Sequence, residues 1–115
     1  MAFANFQSMK LPNAERAFID MAKLRDYSLS ATHPEGKHKA RVFAAALGLD
    51  ASHAAWLHDQ LLTAVLREEC ALGRKTELGQ RYSVDVTVRH GGREALVRSA
   101  CQDEEFPRLV SCYVL

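Results

Sequence analysis

The segment 82–98 constrains the fold of this chain more than any other, because polar and apolar residues alternate along it around a glycine pair. Before the pair, every second residue is apolar, the two-residue period of a β-strand with one buried face: Tyr82, Val84, Val86 and Val88. Gly91 and Gly92 are typical of a two-residue hairpin turn, whose central positions favour glycine. We therefore predict an antiparallel β-hairpin in which the numbers of opposed residues sum to 183.

This register brings complementary side chains together on both faces of the hairpin. Four pairs result, two of opposite charge and two apolar: Arg89–Glu94, Asp85–Arg98, Val88–Ala95 and Val86–Val97. A slip by one residue would break all of them, so the register is strongly specified. The polar face is predicted to be open to solvent or to a partner, and it carries Ser83, Asp85, Thr87, Leu96 and Arg98.

Helix signals precede the hairpin. Asp20 and Asp50 are good N-caps, and Gly48 is a typical stop after a helix. Pro34 disfavours helical geometry at the residue before it and so separates the first two helices. The predicted helices span residues 21–29, about 35–47, and 51 to about 70.

The remaining segments complete an α+β domain. Residues 14–20 are predicted to form a short edge strand, with Ala17 and Ile19 on one side, and residues 73–80 a loop. Residues 107–115 form the last strand. The expected architecture is about three helices packed on one face of a three- to four-stranded antiparallel meander sheet. Residues 1–10 are predicted to be a flexible N-terminal arm, and residues 11–115 a single domain.

Charge limits the classes of partner. The chain has 115 residues, with 15 Lys and Arg against 14 Asp and Glu, for a net charge of +1. A general nucleic-acid coat usually carries a strong basic excess. Any contact with RNA is therefore expected to come from a local basic patch.

The cysteines and the N-terminus indicate a cellular compartment. The chain has three cysteines, an odd number, and they lack metal-ligand spacing: Cys70, Cys101 and Cys112. We therefore expect neither a disulfide framework nor a metal. This pattern favours a reducing compartment. The N-terminus has no basic start and no apolar run of signal length, and no stretch reaches the roughly 18 apolar residues of a membrane span. We expect a cytoplasmic protein with no membrane partner and no cofactor.

The basic residues at the start of the second helix are the strongest functional candidates. On a helical wheel, Lys37 and Arg41 lie opposite the apolar face, whereas Lys39 projects near its middle, one turn before Phe43. A buried ammonium must reach water, find a partner or lose its proton. Lys39 therefore either extends to solvent at the helix end or lines a cleft between this helix and the sheet. In the second case His33 and Lys37 surround the cleft, and a phosphate docks there.

Other candidate residues favour structural roles. His53 and His58 are five apart on a helix and point about 140° away from each other, which is poor geometry for a metal site. His90 flanks the hairpin turn and is expected to be exposed. Trp56 lies off the apolar stripe of its helix, so it either contacts a partner or covers the edge of the core.

Four segments together resemble a bacterial family of uncharacterised domains: "LPNAERAFID", "HPEGKHKARVFAAALG", "GQRYSVDVTV" and "FPRLVSCYVL". The resemblance covers residues 11–115. Cys101 stands where many relatives have tryptophan, and Ser111 replaces the usual threonine. Relatives often stand at the C-termini of larger secreted or phage-associated proteins, where toxin domains usually sit. The layout of helices followed by an antiparallel meander is similar to the barnase and RelE-like ribonuclease toxins.

That resemblance implies a toxin-like ribonuclease that needs no metal. The phosphate-facing set is then His33, Lys39 and Arg41 as catalytic residues, with Lys37 binding phosphate and Ser111 and Tyr113 lining the sheet side. The alternative hypothesis is a non-catalytic interaction module, immunity-like or an adaptor, that binds a protein through the open sheet face or Trp56. A homodimer through the strand at 107–115 belongs to this second hypothesis.

Overall fold

The computed structural model describes residues 9–102 and 105–115, so most of the predicted N-terminal arm lies outside the described residues. Helix α1 spans Met21–Lys23 and continues as a π-helical turn, Leu24–Ser28. Helices α2 and α3 span Lys37–Leu47 and Ala54–Val65. Strands β1 to β4 span Cys70–Thr76, Gly79–His90, Arg93–Gln102 and Arg108–Val114. Short 3₁₀ turns occupy Ala14–Arg16 and Ala51–His53.

Within the described residues, the strands form one antiparallel sheet in the order β1-β2-β3-β4, and the chain has an α+β fold. The predicted hairpin register is confirmed, because all four expected pairs face each other across β2 and β3. Gly91 and Gly92 have φ angles of 56° and 79°, a region that favours glycine. The turn therefore adopts the geometry that its sequence predicted.

The hydrophobic core lies between the helices and one face of the sheet. Helix α2 packs on β3 and β4, and α3 packs on β2. The side chains that are completely buried come from both layers: Leu24, Phe43, Leu47, Leu57, Leu61, Val84, Val97 and Cys112. The opposite face of the sheet carries the Asp85–Arg98 pair and exposed Leu96. Among residues 9–102 and 105–115, no helix combines the length and apolar content needed to cross a membrane.

Two sequence predictions were wrong around β1. Helix α3 ends at Val65 rather than near Cys70, and residues 70–76 pair with β2 instead of forming the end of a helix and a loop. Leu72 lies 59% exposed in this edge strand. The strand is mostly solvent-exposed and shows no apolar alternation, so its pairing with β2 holds it in place.

The segment 14–20 also differs from the predicted edge strand. It begins with a 3₁₀ turn, and only Phe18 makes a parallel bridge, to Arg108. The Phe18 N–H donates to the Pro107 carbonyl at 2.7 Å, and the Leu109 N–H donates to the Phe18 carbonyl at 2.9 Å. This segment covers the start of β4. Asp20 then caps α1 as predicted, since its Oδ1 accepts the Ala22 N–H at 2.9 Å.

Gly36 allows α2 to begin directly against the π-helical turn. A Cβ at this position would lie 2.0 Å from the carbonyl oxygen of Tyr27 and 2.7 Å from its carbonyl carbon. Both are backbone atoms, so the contact cannot be relieved by a change of rotamer. A side chain at residue 36 would force the two helical segments apart.

We predict that Gly36→Ala lowers the free energy of unfolding by about 1–3 kcal/mol or more, the usual cost of overpacking a close contact. Urea unfolding followed by circular dichroism measures this change. Glu35→Ala is the matched control, because the Glu35 side chain is exposed. The hydrogen bond of this residue to His33 Nδ1 is made by its backbone N–H, which the substitution keeps. A Gly36→Ala protein as stable as the control would contradict the close approach.

Candidate functional site

Lys39 lies half-buried where α2 crosses the outer strand of the sheet. Its Nζ is 5.2 Å from the ring centroid of Tyr27 and 5.8 Å from that of Tyr113. Both distances are within the range of a cation–π interaction, which stabilises the charged ammonium. Lys39 thus has aromatic neighbours from two different elements, the π-helical turn and β4.

Tyr27 is itself held by the loop that precedes α2. The rings of Tyr27 and His33 meet edge to face, with centroids 4.6 Å apart and an interplanar angle of 67°. His33 Nδ1 accepts the backbone N–H groups of Glu35 at 3.0 Å and Gly36 at 2.9 Å. Because Nδ1 accepts hydrogen bonds, the neutral ring carries its proton on Nε2. His33 therefore orders the start of α2 and supports one side of Tyr27.

On the sheet, a row of three polar side chains runs towards Lys39. Asp85 on β2 faces Arg98 on β3, and Arg98 faces Tyr113 on β4. Arg98 donates to Asp85 through Nε at 2.8 Å and through a second guanidinium nitrogen at 2.9 Å. This two-point contact fixes the plane of the guanidinium.

The row is electrostatically coupled. The hydrogen bond from Arg98 is the main cause of the lowered pKa of Asp85. Asp85 in turn raises the pKa of Arg98, and a hydrogen bond with the Tyr113 side chain adds to this effect. The row therefore keeps one carboxylate and one guanidinium charged beside a phenol.

Together these contacts form one continuous set of side chains, which we call the Lys39 strip: Asp85, Arg98, Tyr113, Lys39, Tyr27 and His33. It starts on the open face of the sheet and passes over its β4 edge to the helices. Two cations, a carboxylate, two phenol rings and an imidazole lie along it. Such a set can hold a phosphate and stack with flat rings.

Two hollows adjoin the strip, and Lys39 lines both. The first, about 340 Å³, lies between α2 and β4 and is lined by His38, Lys39, Val42, Tyr113 and Val114. The second, about 440 Å³, lies between α1 and β4 and is lined by Asp20, Ala22, Lys23, Tyr27, Lys39 and Val110. Both volumes are in the range of small-molecule sites, about 300–1,000 Å³.

The structure does not bring Lys37 and Arg41 to the Lys39 strip. They line a separate hollow of about 250 Å³ on the other side of α2, together with Leu29, Leu49 and Asp50. Ser111 pairs with Ala100 on β3 and lies on the same strand face as Tyr113. Of the residues predicted for the site, His33, Lys39 and Tyr113 are therefore connected through contacts, whereas Lys37 and Arg41 are not.

Sequence reasoning missed the part that Tyr27 and Arg98 play. Tyr27 falls in a short helix, and nothing in its spacing indicates that its ring reaches Lys39. Arg98 was predicted only as the partner of Asp85 in the hairpin. The available signal was the alternation of the last strand, which puts Tyr113 on the face opposite Cys112, and the register of β4 with β3 then places Tyr113 beside Arg98.

His90, His53 and Trp56 form one group of contacts. His90 was expected to be exposed, but it is half-buried and its Nδ1 lies 2.7 Å from the Leu47 carbonyl oxygen. Its ring centroid lies 4.9 Å from that of His53 and 5.0 Å from that of Trp56. In the described part of the chain, His, Cys, Asp and Glu form no group of three or more suited to a metal ion.

The cysteines are free, and two of them are buried in the core. Burial raises the pKa of Cys101 and of Cys112 to about 11, so both are neutral thiols at neutral pH. A neutral thiol is a poor nucleophile. Cys101 and Cys112 therefore act as small apolar residues.

We predict that the Asp85–Arg98 pair stabilises the fold at neutral pH and loses this effect in acid. The folded-state pKa of Asp85 is below its ordinary value of 3.8, so the stabilisation is present above that value and is lost as pH falls through the folded-state pKa. Urea unfolding of the wild type and Asp85→Asn should show a constant difference from pH 7 to about pH 5 that shrinks below about pH 4. A difference that disappears between pH 7 and about pH 5, above the range in which a carboxyl group titrates, would contradict the pairing.

Comparison with known proteins identifies the family. Residues 10–115 match the model of the family described as Domain of unknown function (DUF6883), and the chain belongs to this family. In the same comparisons, no curated protein sequence and no solved structure matches the chain.

Proposed function

We propose that this member of the DUF6883 family is a metal-independent, toxin-like ribonuclease whose substrate binds along the Lys39 strip. The observation that carries the proposal is the row Asp85–Arg98–Tyr113, which leads directly to Lys39 at the β4 edge. The row has a carboxylate at one end and a guanidinium next to it, and the Lys39 ammonium lies beside the tyrosine at its other end. RNA cleavage requires these three functions: a base, an acid and a cation on the phosphate.

The reaction follows from this order. The Asp85 carboxylate takes the proton of a ribose 2′-hydroxyl, and that oxygen attacks the adjacent phosphorus. Arg98 stabilises the negative charge on the phosphorane, with the Tyr113 hydroxyl beside it. The P–O5′ bond breaks, and the Lys39 ammonium gives a proton to the leaving 5′ oxygen. The products are a 2′,3′-cyclic phosphate and a free 5′-hydroxyl.

In the proposed reaction, the base on β2 and the acid on α2 approach a phosphate on Arg98 from different sides, the arrangement that an in-line displacement needs. Asp85 is on β2 and Tyr113 is on β4, two strands apart, which is roughly 10 Å across the sheet. Lys39 lies beyond Tyr113. A phosphate on Arg98 therefore has its attacking oxygen on the side of Asp85 and its leaving oxygen on the side of Lys39.

His33 has a different part in this proposal. Because its Nδ1 accepts two backbone N–H groups, it supports the start of α2 and the ring of Tyr27. It is a positioning residue. Lys37 and Arg41, on the other side of α2, attract the polyanion at longer range.

The layout of the chain also supports the proposal. The described elements follow the order, helices and then an antiparallel meander, that the sequence resemblance led us to compare with barnase and RelE-like ribonuclease toxins, although no solved structure matches the chain. That similarity concerns the order of elements, so the assignment of function rests on the strip itself.

Incubation of labelled single-stranded RNA with the protein in excess chelator tests the proposal. We expect cleavage with cyclic phosphate ends, and a rate constant at least about 100-fold lower for Lys39→Met. Arg74→Met is the matched control, since it removes one positive charge from exposed β1. Tyr113→Phe keeps the ring against Lys39 and removes the hydroxyl, so it should slow cleavage and leave RNA binding unchanged.

Circular dichroism and thermal unfolding should show that these variants are folded like the wild type. Complete absence of cleavage in the wild type, or equal rates for Lys39→Met and Arg74→Met, would overturn the proposal. Expression gives a second readout, because a toxin-like nuclease should slow host growth and the Lys39→Met variant should not.

A second candidate function is a non-catalytic interaction module, supported by an apolar patch at the start of β4. The side chains of Phe18 and Phe106 are 59% and 55% exposed. The hydrogen bond from the Phe18 N–H to the Pro107 carbonyl brings the two residues close together. Arg16 lies over the Phe106 ring at 5.5 Å. If the patch joins two copies, light scattering should show a dimer that Phe18→Ser converts to a monomer, and RNA should remain intact.

A further inference from the structure

We infer that the hollow beside Tyr27 is a base-specific subsite that takes guanine from the nucleotide on the 3′ side of the cleaved bond. The inference rests on the proposed function for the position of the phosphate. It adds the identity of the neighbouring base, which the chemistry of the hollow determines.

The order of groups along the Lys39 strip determines which of the two nucleotides, on the 5′ or the 3′ side of the cleaved bond, has its base in this hollow. Lys39 protonates the leaving 5′ oxygen in the proposed reaction, and that oxygen belongs to the nucleotide on the 3′ side. Lys39 also lines the hollow between α1 and β4, and its Nζ lies 5.2 Å from the ring centroid of Tyr27. The leaving nucleotide is therefore the one whose base reaches this hollow.

Tyr27 provides a stacking surface for a base of any kind. Its ring forms part of the wall, with Lys39 Nζ over it at 5.2 Å and His33 meeting it edge to face, so a base would stack on the part of the ring that faces the hollow beside these two neighbours. Stacking on an aromatic ring is tolerant of sequence, because every base has two flat faces. Tyr27 thus contributes affinity for any base, and selection of one base over another must come from the polar groups in the same wall.

Asp20 and Lys23 supply those polar groups. Asp20 Oδ1 accepts the backbone N–H of Ala22 at 2.9 Å, which fixes the carboxylate, and a carboxylate has about four acceptor positions in all. Guanine presents two adjacent donors, N1–H and the 2-amino group, which match a carboxylate, and its O6 accepts from an ammonium such as that of Lys23. Adenine presents an acceptor and a C–H at the two positions that would face Asp20.

The other hollow beside Lys39 does not have this pattern. Its wall consists of Val42, Val114, the ring of Tyr113 and His38. These side chains can cover a sugar or a base, but none of them is a carboxylate. Among the two hollows that Lys39 lines, the one beside Tyr27 therefore distinguishes the bases.

Binding of dinucleotides that cannot be cleaved tests the inference without relying on activity. A 2′-deoxy sugar on the 5′ side removes the attacking hydroxyl, so deoxyuridylyl-guanosine, -inosine and -adenosine are the probes. We expect the guanosine form to bind about tenfold more tightly than the adenosine form, the discrimination of one good two-point contact. The inosine form, which lacks the 2-amino group, should lie between them.

Asp20→Asn is the decisive variant. Asparagine caps a helix about as well as aspartate, so α1 is preserved. The amide places a donor where the carboxylate had an acceptor, and the preference for guanine should fall to about equal binding or change to adenine. Asp26→Asn is the matched control, since Asp26 is exposed in the same helical segment and pairs with Arg25.

The outcomes separate the inference from the proposed function. Guanine preference that Asp20→Asn abolishes would support the subsite even if the protein cleaved no RNA. Cleavage of RNA with equal binding of the three dinucleotides would overturn the subsite and leave the ribonuclease proposal standing. Binding of none of the dinucleotides at millimolar concentration would also overturn the subsite.

Discussion

The structure depends on the close approach of two backbone segments, the π-helical turn after α1 and the start of α2. Gly36 meets the carbonyl group of Tyr27 at a distance that leaves no room for a side chain. The turn buries Leu24 and Ser28 against the core, and α2 buries Phe43 and Leu47. With both segments anchored in the core, the ring of Tyr27 is brought to the first turn of α2, where Lys39 lies.

The sheet supplies the other half of the arrangement. Asp85, Arg98 and Tyr113 stand on adjacent strands, and the backbone ladder keeps them in line. This row lies on the face away from the core, so it costs little stability to keep it polar. Helix α2 packs on β3 and β4 and thereby sets Lys39 at the end of the row. Lys39 from the helical layer and Arg98 from the sheet are thus both held next to Tyr113.

The sequence carried enough information for the hairpin and for the unusual position of Lys39. Alternation and the glycine pair determined the β2–β3 register because one face of each strand is buried. Helical spacing placed Lys39 near Phe43 because the period of an α-helix is fixed. In contrast, β1 was not predictable from pattern: it is an exposed edge strand whose conformation comes from pairing with β2. The contacts of Tyr27 were also beyond reach, since they depend on a π-helical turn and on how closely two segments pack.

The candidate site depends on the ammonium of Lys39, which lies between the rings of Tyr27 and Tyr113. Nuclear magnetic resonance tests this placement directly, through the chemical shifts of the Lys39 side-chain methylene protons and their nuclear Overhauser effects. We expect ring-current shifts to high field and Overhauser contacts from these protons to both tyrosine rings. Shifts typical of a solvated lysine, with contacts to neither ring, would contradict it.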